Sequence, residues 1–185
     1  NRRSAIPGFK SKIEGLLQKL GLEKAKVEAE LTPTEEFVLF GKEKVQLLFQ
    51  ANQGFALKPI QNAISGGERS RVMLAIKKLM AENSELPTLI LDEIDTGVSG
   101  KIADEMGSVM QDMAKDMQLI VITHLAQVAA KGNNNYKVSK SEISGKTQTQ
   151  ILPLNEEEKL LEIAQLLSGS TITEAAVSQA KELMK

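Results

Sequence analysis

The chain has 185 residues, 42% of them apolar and 25% charged, with a net charge of −1. That composition suits one domain, or one lobe of a larger one, with a packed core, and nothing in the charge balance advertises a strong footprint for nucleic acid or an anionic membrane. The absence of cysteine and the single histidine exclude disulfides, thiolate metal sites, a cysteine nucleophile and a histidine-cluster metal centre.

Aromatic residues make up only 3%, so Leu, Ile, Val, Met and Ala must fill the core. No secretory signal and no apolar run of membrane-spanning length is evident, which makes a soluble cytoplasmic protein the expectation. The first residue is Asn1 rather than Met, as expected for a piece of a longer chain. Residues 9–24 read as a helix, with Ile13, Leu16, Leu17 and Leu20 on one face and Gly21 as a stop. A strand is expected over 26–31, where Val27, Ala29 and Leu31 alternate with charges, followed by a break at Thr32-Pro33-Thr34. Glu36–Phe40 and Lys44–Phe49 flank Gly41-Lys42 as a hairpin, and Ala51–Pro59 reads as a loop.

A helix is expected from about 65 to 81. Thr88–Leu91 is a short continuous apolar run, the pattern of a strand buried on both faces of a parallel sheet. A second long helix, roughly 100–116, carries Ile102, Met106, Val109, Met110 and Met113 on one face, and this methionine-rich stripe reads as core filling. Leu119–Ile122 repeats the buried-strand pattern, which completes a βαβ unit. Tyr136–Ser139 and Thr147–Leu152 flank a turn at Ser144-Gly145 as an antiparallel hairpin. Two helices close the chain, at about 156–167 and 172–184, the second opened by a capping-box pattern at Thr171 and Glu174.

Three places carry chemistry. Ser65 stands three residues before Glu68, ahead of the apolar positions Val72, Ala75, Ile76 and Leu79, which is the capping-box pattern. Gly66 and Gly67 lie inside the box and leave the backbone bare. A helix start of this kind presents N–H groups and the positive end of a helix dipole, which suits a phosphate; a plain capped helix after a glycine turn is the other reading. Asp92 and Glu93 end the first apolar strand, at the edge where open α/β sheets bind ligands. Side-chain alternation would send the two carboxylates different ways. One could meet a Mg²⁺ ion, the other could orient or deprotonate a water; a solvated strand end is the alternative. His124 follows the neighbouring strand and would share that rim, where a neutral imidazole can bond a phosphate or a water. Ser144-Gly145-Lys146-Thr147 imitates the end of a P-loop, but Lys140 stands where the first glycine is required and a strand pattern follows. No true P-loop is present.

The ordered set Ser65-Gly66-Gly67-Glu68, Leu89-Ile90-Leu91-Asp92-Glu93 and Thr123-His124 resembles the signature motif, Walker B strand and H-loop of ABC-type ATPase heads. Asp92-Glu93-Ile94-Asp95 is closer to the SMC class of chromosome proteins than to transporters. Within that class the chain resembles the RecN family of bacterial DNA repair proteins, from about residue 10 to the end. The residues that carry this are 48–54, Leu57-Lys58-Pro59, 95–100, 123–130 and Leu166-Leu167-Ser168-Gly169. Arg69 stands where RecN-like signatures more often carry Leu.

The resemblance implies an α/β fold: the C-terminal lobe of an ABC/SMC-type head, a parallel sheet with flanking helices and an added antiparallel hairpin. Residues 1–25 would be the helix returning from a coiled coil and 26–185 the lobe itself, with the P-loop lobe absent. Ser65, Gly66 and Gly67 would meet the γ-phosphate of ATP held by a second copy, and Glu68 completes this cofactor-binding motif. Asp92 would serve Mg²⁺, Glu93 would be the catalytic base and His124 the γ-phosphate sensor. Residues 95–100 would join the two half-sites across the dimer. The implied partners are the P-loop lobe, a second head and DNA, at the nucleoid rather than a membrane. Alone, the chain is expected to bind ATP weakly and to hydrolyse it negligibly. The competing readings are an ABC-type motor of a transport or regulatory system and a non-catalytic anion-binding module.

Overall fold

The computed structural model describes residues 2–39, 41–62, 65–84, 86–143 and 146–185. It forms two compact units, Asn1–Pro87 with Ile94–Val98 and Thr88–Glu93 with Ser99–Lys185.

In the first unit, α1 (Arg2–Lys19) begins earlier than the sequence pattern indicates and runs through Pro7. Ile13, Leu16, Leu17 and Leu20 are buried, on the face the 3.6-residue period selects. Gly21, at φ 76°, is the stop the sequence offers, and α1 ends at Lys19 and not at the expected 24. Leu22 N–H donates to the Leu17 carbonyl at 2.8 Å and Gly21 N–H to that of Gln18 at 3.1 Å. These two bonds make a Schellman motif, which needs a left-handed residue at that position.

The chain then enters β1 (Lys26–Val38), which pairs antiparallel with β2 (Gly41–Gln50). The break expected at Thr32-Pro33-Thr34 does not occur. Pairing continues through Pro33 opposite Glu43, and the register shifts only between Pro33 and Val38. Proline is accommodated because β1 is the edge of the sheet β1-β2-β3, where its missing N–H removes no ladder bond. Val38 faces Gly41, so the hairpin reverses before Gly41-Lys42 rather than at it. Val27 and Phe49 face each other on the buried side. The short β3 (Lys58–Pro59) pairs with β2 inside the expected loop. A 3-10 turn, Ile60–Asn62, follows, and then α2 (Gly66–Glu82), which buries Val72, Leu74, Ala75 and Leu79 and packs on α1.

In the second unit, β4 (Thr88–Asp92) and β5 (Gln118–Ile122) pair in parallel, in register from Thr88 opposite Gln118 to Asp92 opposite Ile122. This confirms a βαβ unit through α3 (Gly100–Met113), which stops three residues short of the expected end. Met106, Met110 and Met113 are buried, so the methionine stripe is core. The expectation that the strands are buried on both faces is corrected. Ile90 is 60% exposed, Ile120 44% and Ile122 49%, because the described sheet has only two strands and one of its faces is uncovered.

A five-residue helix, α4 (Ala126–Ala130), has no counterpart in the sequence reading. So short a helix is unstable by itself and is held by its neighbours. Ala126 and Ala130 share a core with Ile163, Ala164, Ala176 and Ala180. Gly107 lets α3 approach closely, since a Cβ there would lie 3.2 Å from the Gln127 carbonyl oxygen. The end of α4 is tied down by Asn135 Nδ2 donating to the Ala129 carbonyl and by the buried Lys159 Nζ donating to that of Gly132.

The expected hairpin forms between β6 (Tyr136–Ile143) and β7 (Lys146–Pro153), and Ser144-Gly145 lie outside the described residues. Helices α5 (Glu156–Ser168) and α6 (Glu174–Leu183) close the unit. The N-cap of α6 is Thr173, whose hydroxyl accepts from Ala176 N–H, and not Thr171. Among the described residues, no helix is long and apolar enough to cross a membrane.

Candidate functional site

The candidate residues fall into two groups, one in each unit. In the first unit, Ser65 is the N-cap of α2, and its N–H donates to the Glu68 carboxylate at 2.9 Å. Ser65 and Gly66 are exposed. A side chain at Gly66 would meet nothing within 4 Å, so this end of the helix is open in the way an anion site requires.

Gly67 differs. A Cβ there would lie 2.4 Å from the carbonyl oxygen of Gly97, which itself sits at φ 79°. The second glycine is therefore needed for contact with the 94–98 segment, and the bareness of the turn belongs to Gly66. Ser70 and Arg71 were not singled out in the sequence, yet both hold this turn. Ser70 Oγ donates to the Thr96 carbonyl at 2.7 Å and lies 3.3 Å from that of Gly66. Arg71 Nε donates to the Gly67 carbonyl at 3.0 Å, and its Nη1 to the Leu20 carbonyl at the end of α1 at 3.2 Å. Burial pushes the Arg71 guanidinium below its ordinary pKa, against the pull of nearby Glu68, and it remains a cation. The signal for both was present: their spacing from Gly66 and Gly67 turns them back over the first turn of the helix.

In the second unit, Asp92 ends β4 opposite Ile122, exposed and on the uncovered face. The alternation expected to separate the two carboxylates ends there. Glu93 leaves the strand at φ 46°, the one non-glycine residue at positive φ among those described. Its N–H donates to the Ile122 carbonyl at 3.0 Å, extending the ladder by one step while the chain turns. A left-handed conformation costs a non-glycine residue about 1–2 kcal/mol, and such strain concentrates at functional positions. The parallel register brings Thr123-His124 out at the same end of the strand pair, and His124 is exposed. Leu125 N–H donates to Thr123 Oγ1 at 2.9 Å, which shapes the turn after the strand. Asp92, Glu93 and His124 thus leave one strand edge, as their positions in the sequence lead one to expect.

Among the described residues, no three acidic, histidine or cysteine side chains cluster as a metal cage. Asp92 presents one exposed carboxylate at this strand end, a hard oxygen donor of the kind a divalent cation takes.

No family model matches the chain. DNA repair protein RecN of Vibrio cholerae is 39% identical over 170 residues, which are 91% of this chain and 30% of that protein. RecN of Haemophilus influenzae is 34% identical over 185 residues, the whole of this chain and 33% of its own length. The chain therefore spans about a third of the curated relatives it matches. Among solved structures, a chain described under ATP-driven dimerisation and DNA-stimulated activation of SMC ATPases overlaps 88% of this chain and 93% of itself, with a TM-score of 0.61 at 18% identity. The Smc head domain with a coiled coil and joint from Pyrococcus yayanosii overlaps 86% of this chain and 29% of itself, with a TM-score of 0.66 at 19% identity. The fold is that of SMC ATPase heads: a mixed α/β arrangement with a parallel strand pair, flanking helices and antiparallel hairpins.

Proposed function

This chain is a homologue of the RecN DNA repair proteins over about a third of their length, and on that premise we propose that it is the signature-bearing lobe of an SMC-type ATPase head acting in DNA double-strand break repair and recombination. The observation that carries the reading is Glu93. It is held out of the strand at φ 46°, directly after Asp92 and on the edge from which His124 also leaves.

In this reading the lobe holds no complete nucleotide site. A P-loop lobe supplied by the rest of the protein grips ATP. Asp92 then offers its carboxylate to Mg²⁺, which when bound neutralises phosphate charge. Glu93 accepts a proton from the attacking water, and His124 bonds the γ-phosphate. The open turn at Ser65 and Gly66, with Glu68 fixing its geometry, meets the phosphates of ATP held by a second head. Hydrolysis thus requires two heads. The uncovered strand face of Ile90, Ile120 and Ile122 supports an added lobe, since exposed apolar surface of this extent invites cover. The net charge of −1 supplies no overall attraction to a polyanion, so DNA contact enters this reading through the relatives and not through composition.

The test is Glu93→Gln in the full-length protein. ATP hydrolysis should fall by about 100-fold or more, as for loss of a general base, with ATP binding retained. Hydrolysis at the wild-type rate would sink the assignment. Titration of the isolated chain with ATP and Mg²⁺ should give no measurable heat, and tight binding would contradict the half-site reading.

A further inference from the structure

We propose that Ser70 is a positioning residue that locks the 95–98 segment onto the first turn of α2, so that two surfaces facing the partner head move as one piece. The inference rests on the half-site reading above. Three observations converge on it, all within the first unit. Ser70 Oγ donates to the Thr96 carbonyl at 2.7 Å, a short bond bridging 26 residues of sequence. One turn earlier, Gly67 brings α2 against Gly97 so closely that even a methyl group at Gly67 would strike the Gly97 carbonyl oxygen at 2.4 Å. Gly97 reaches this contact only through φ 79°, and its own Cβ would lie 3.1 Å from Gly67 N. The segment adds a turn of its own, with Val98 N–H donating to the Asp95 carbonyl at 3.4 Å, and Asp95 is fully buried.

The physical consequence concerns rigidity. A hydroxyl in the second turn of a helix usually bonds its own i−4 carbonyl; here Gly66 O lies at 3.3 Å, and Thr96 O offers the shorter bond. The amide end at Gly66 and the turn at 95–98 are therefore fixed to each other by a hydrogen bond and by backbone contact without intervening side chains. This bond ties the segment between the strand edge at Glu93 and α3 to α2. A loosened anchor lets the 95–98 turn reorient while the helix start stays capped by Glu68, since the Ser65–Glu68 bond does not involve Ser70. Ser70 touches no reacting atom in this arrangement. Its role is to hold the geometry of the face offered to the partner.

The experiment uses the full-length protein with Ser70→Ala and Ser70→Thr, and reads three quantities: amide hydrogen exchange at Thr96–Val98, ATP binding, and ATP hydrolysis. Loss of one hydrogen bond should speed exchange at these amides and lower kcat by about fivefold, with ATP binding unchanged because the nucleotide is held by the other lobe. Ser70→Thr, which keeps the hydroxyl, should restore both. Unchanged exchange in Ser70→Ala overturns the lock, and faster exchange with undiminished hydrolysis overturns its role in positioning. Failure of the underlying reading shows separately, as hydrolysis that survives Glu93→Gln, whereas the exchange measurement does not depend on that residue.

Discussion

Helices α2 and α5 open with the same device and put it to different ends. In α5, Asn155 and Glu158 form a complete reciprocal box: Asn155 N–H donates to the Glu158 carboxylate at 2.8 Å, and Glu158 N–H to Asn155 Oδ1 at 2.9 Å. In α2, Glu68 accepts from Ser65 N–H at 2.9 Å. The positions between cap and box partner differ. In α5 they are Glu156 and Glu157, so three carboxylates crowd the first turn. In α2 they are Gly66 and Gly67, followed by Arg69 and Arg71. Three carboxylates in the first turn of α5 answer the helix dipole and repel an incoming anion; in α2 only Glu68 is acidic there, and the glycines leave the amides uncovered. The box alone therefore specifies a helix start, and what fills it decides whether an anion can approach.

The largest change should come from Gly67→Ala, whose methyl has no space against Gly97. Overpacking of this kind costs about 1–3 kcal/mol, visible as a lower denaturation midpoint, and should also abolish hydrolysis in the full-length protein. A normal midpoint would show that the contact with Gly97 can relax. Giving α5 the glycines of α2, as Glu156→Gly with Glu157→Gly, should cost about 1–2 kcal/mol in helix propensity. It should leave ATP hydrolysis unaffected, since α5 lacks a neighbour like the 95–98 turn. A change in hydrolysis would break the contrast between the two starts.

Asn155→Ala should cost about 1 kcal/mol, the ordinary value of an N-cap, measured by urea denaturation. An insignificant shift would mean that the cap is redundant with its neighbours. The smallest effect on stability is expected from Gly66→Ala. It meets open space and gains helix propensity, so stability should hold or rise by up to about 1 kcal/mol. Hydrolysis should nonetheless fall, because the new methyl stands on the face offered to phosphate. Undiminished activity would remove Gly66 from the site.

Much of the architecture was legible because it is written in local patterns. The apolar spacing of α1 gave Ile13, Leu16, Leu17 and Leu20 as its buried face, and Gly21 as its stop. The two apolar runs gave a parallel strand pair, and their register put Asp92, Glu93 and His124 at one edge. Other features were missed because they depend on what lies opposite. Pro33 looked like a break, but an edge strand tolerates it. Thr171 read as the cap of α6, but the helix starts at Glu174 and Thr173 caps it. Helix α4 carries too few residues to announce itself, and the alanine core around Ile163 holds it in place. The Asn155–Glu158 box was readable by the same rule that found Ser65–Glu68.

The sequence by itself determined the order of the longer helices and strands, the faces of the long helices and the identity of the candidate residues. Each follows from spacing along a single helix or strand. Tertiary structure alone decided that Gly66 is open while Gly67 is packed, that Ser70 bonds Thr96, that Glu93 turns out of the strand, and that one face of the strand pair lies bare. Each of these depends on which distant segment comes within a few ångströms, and residue spacing carries no record of that.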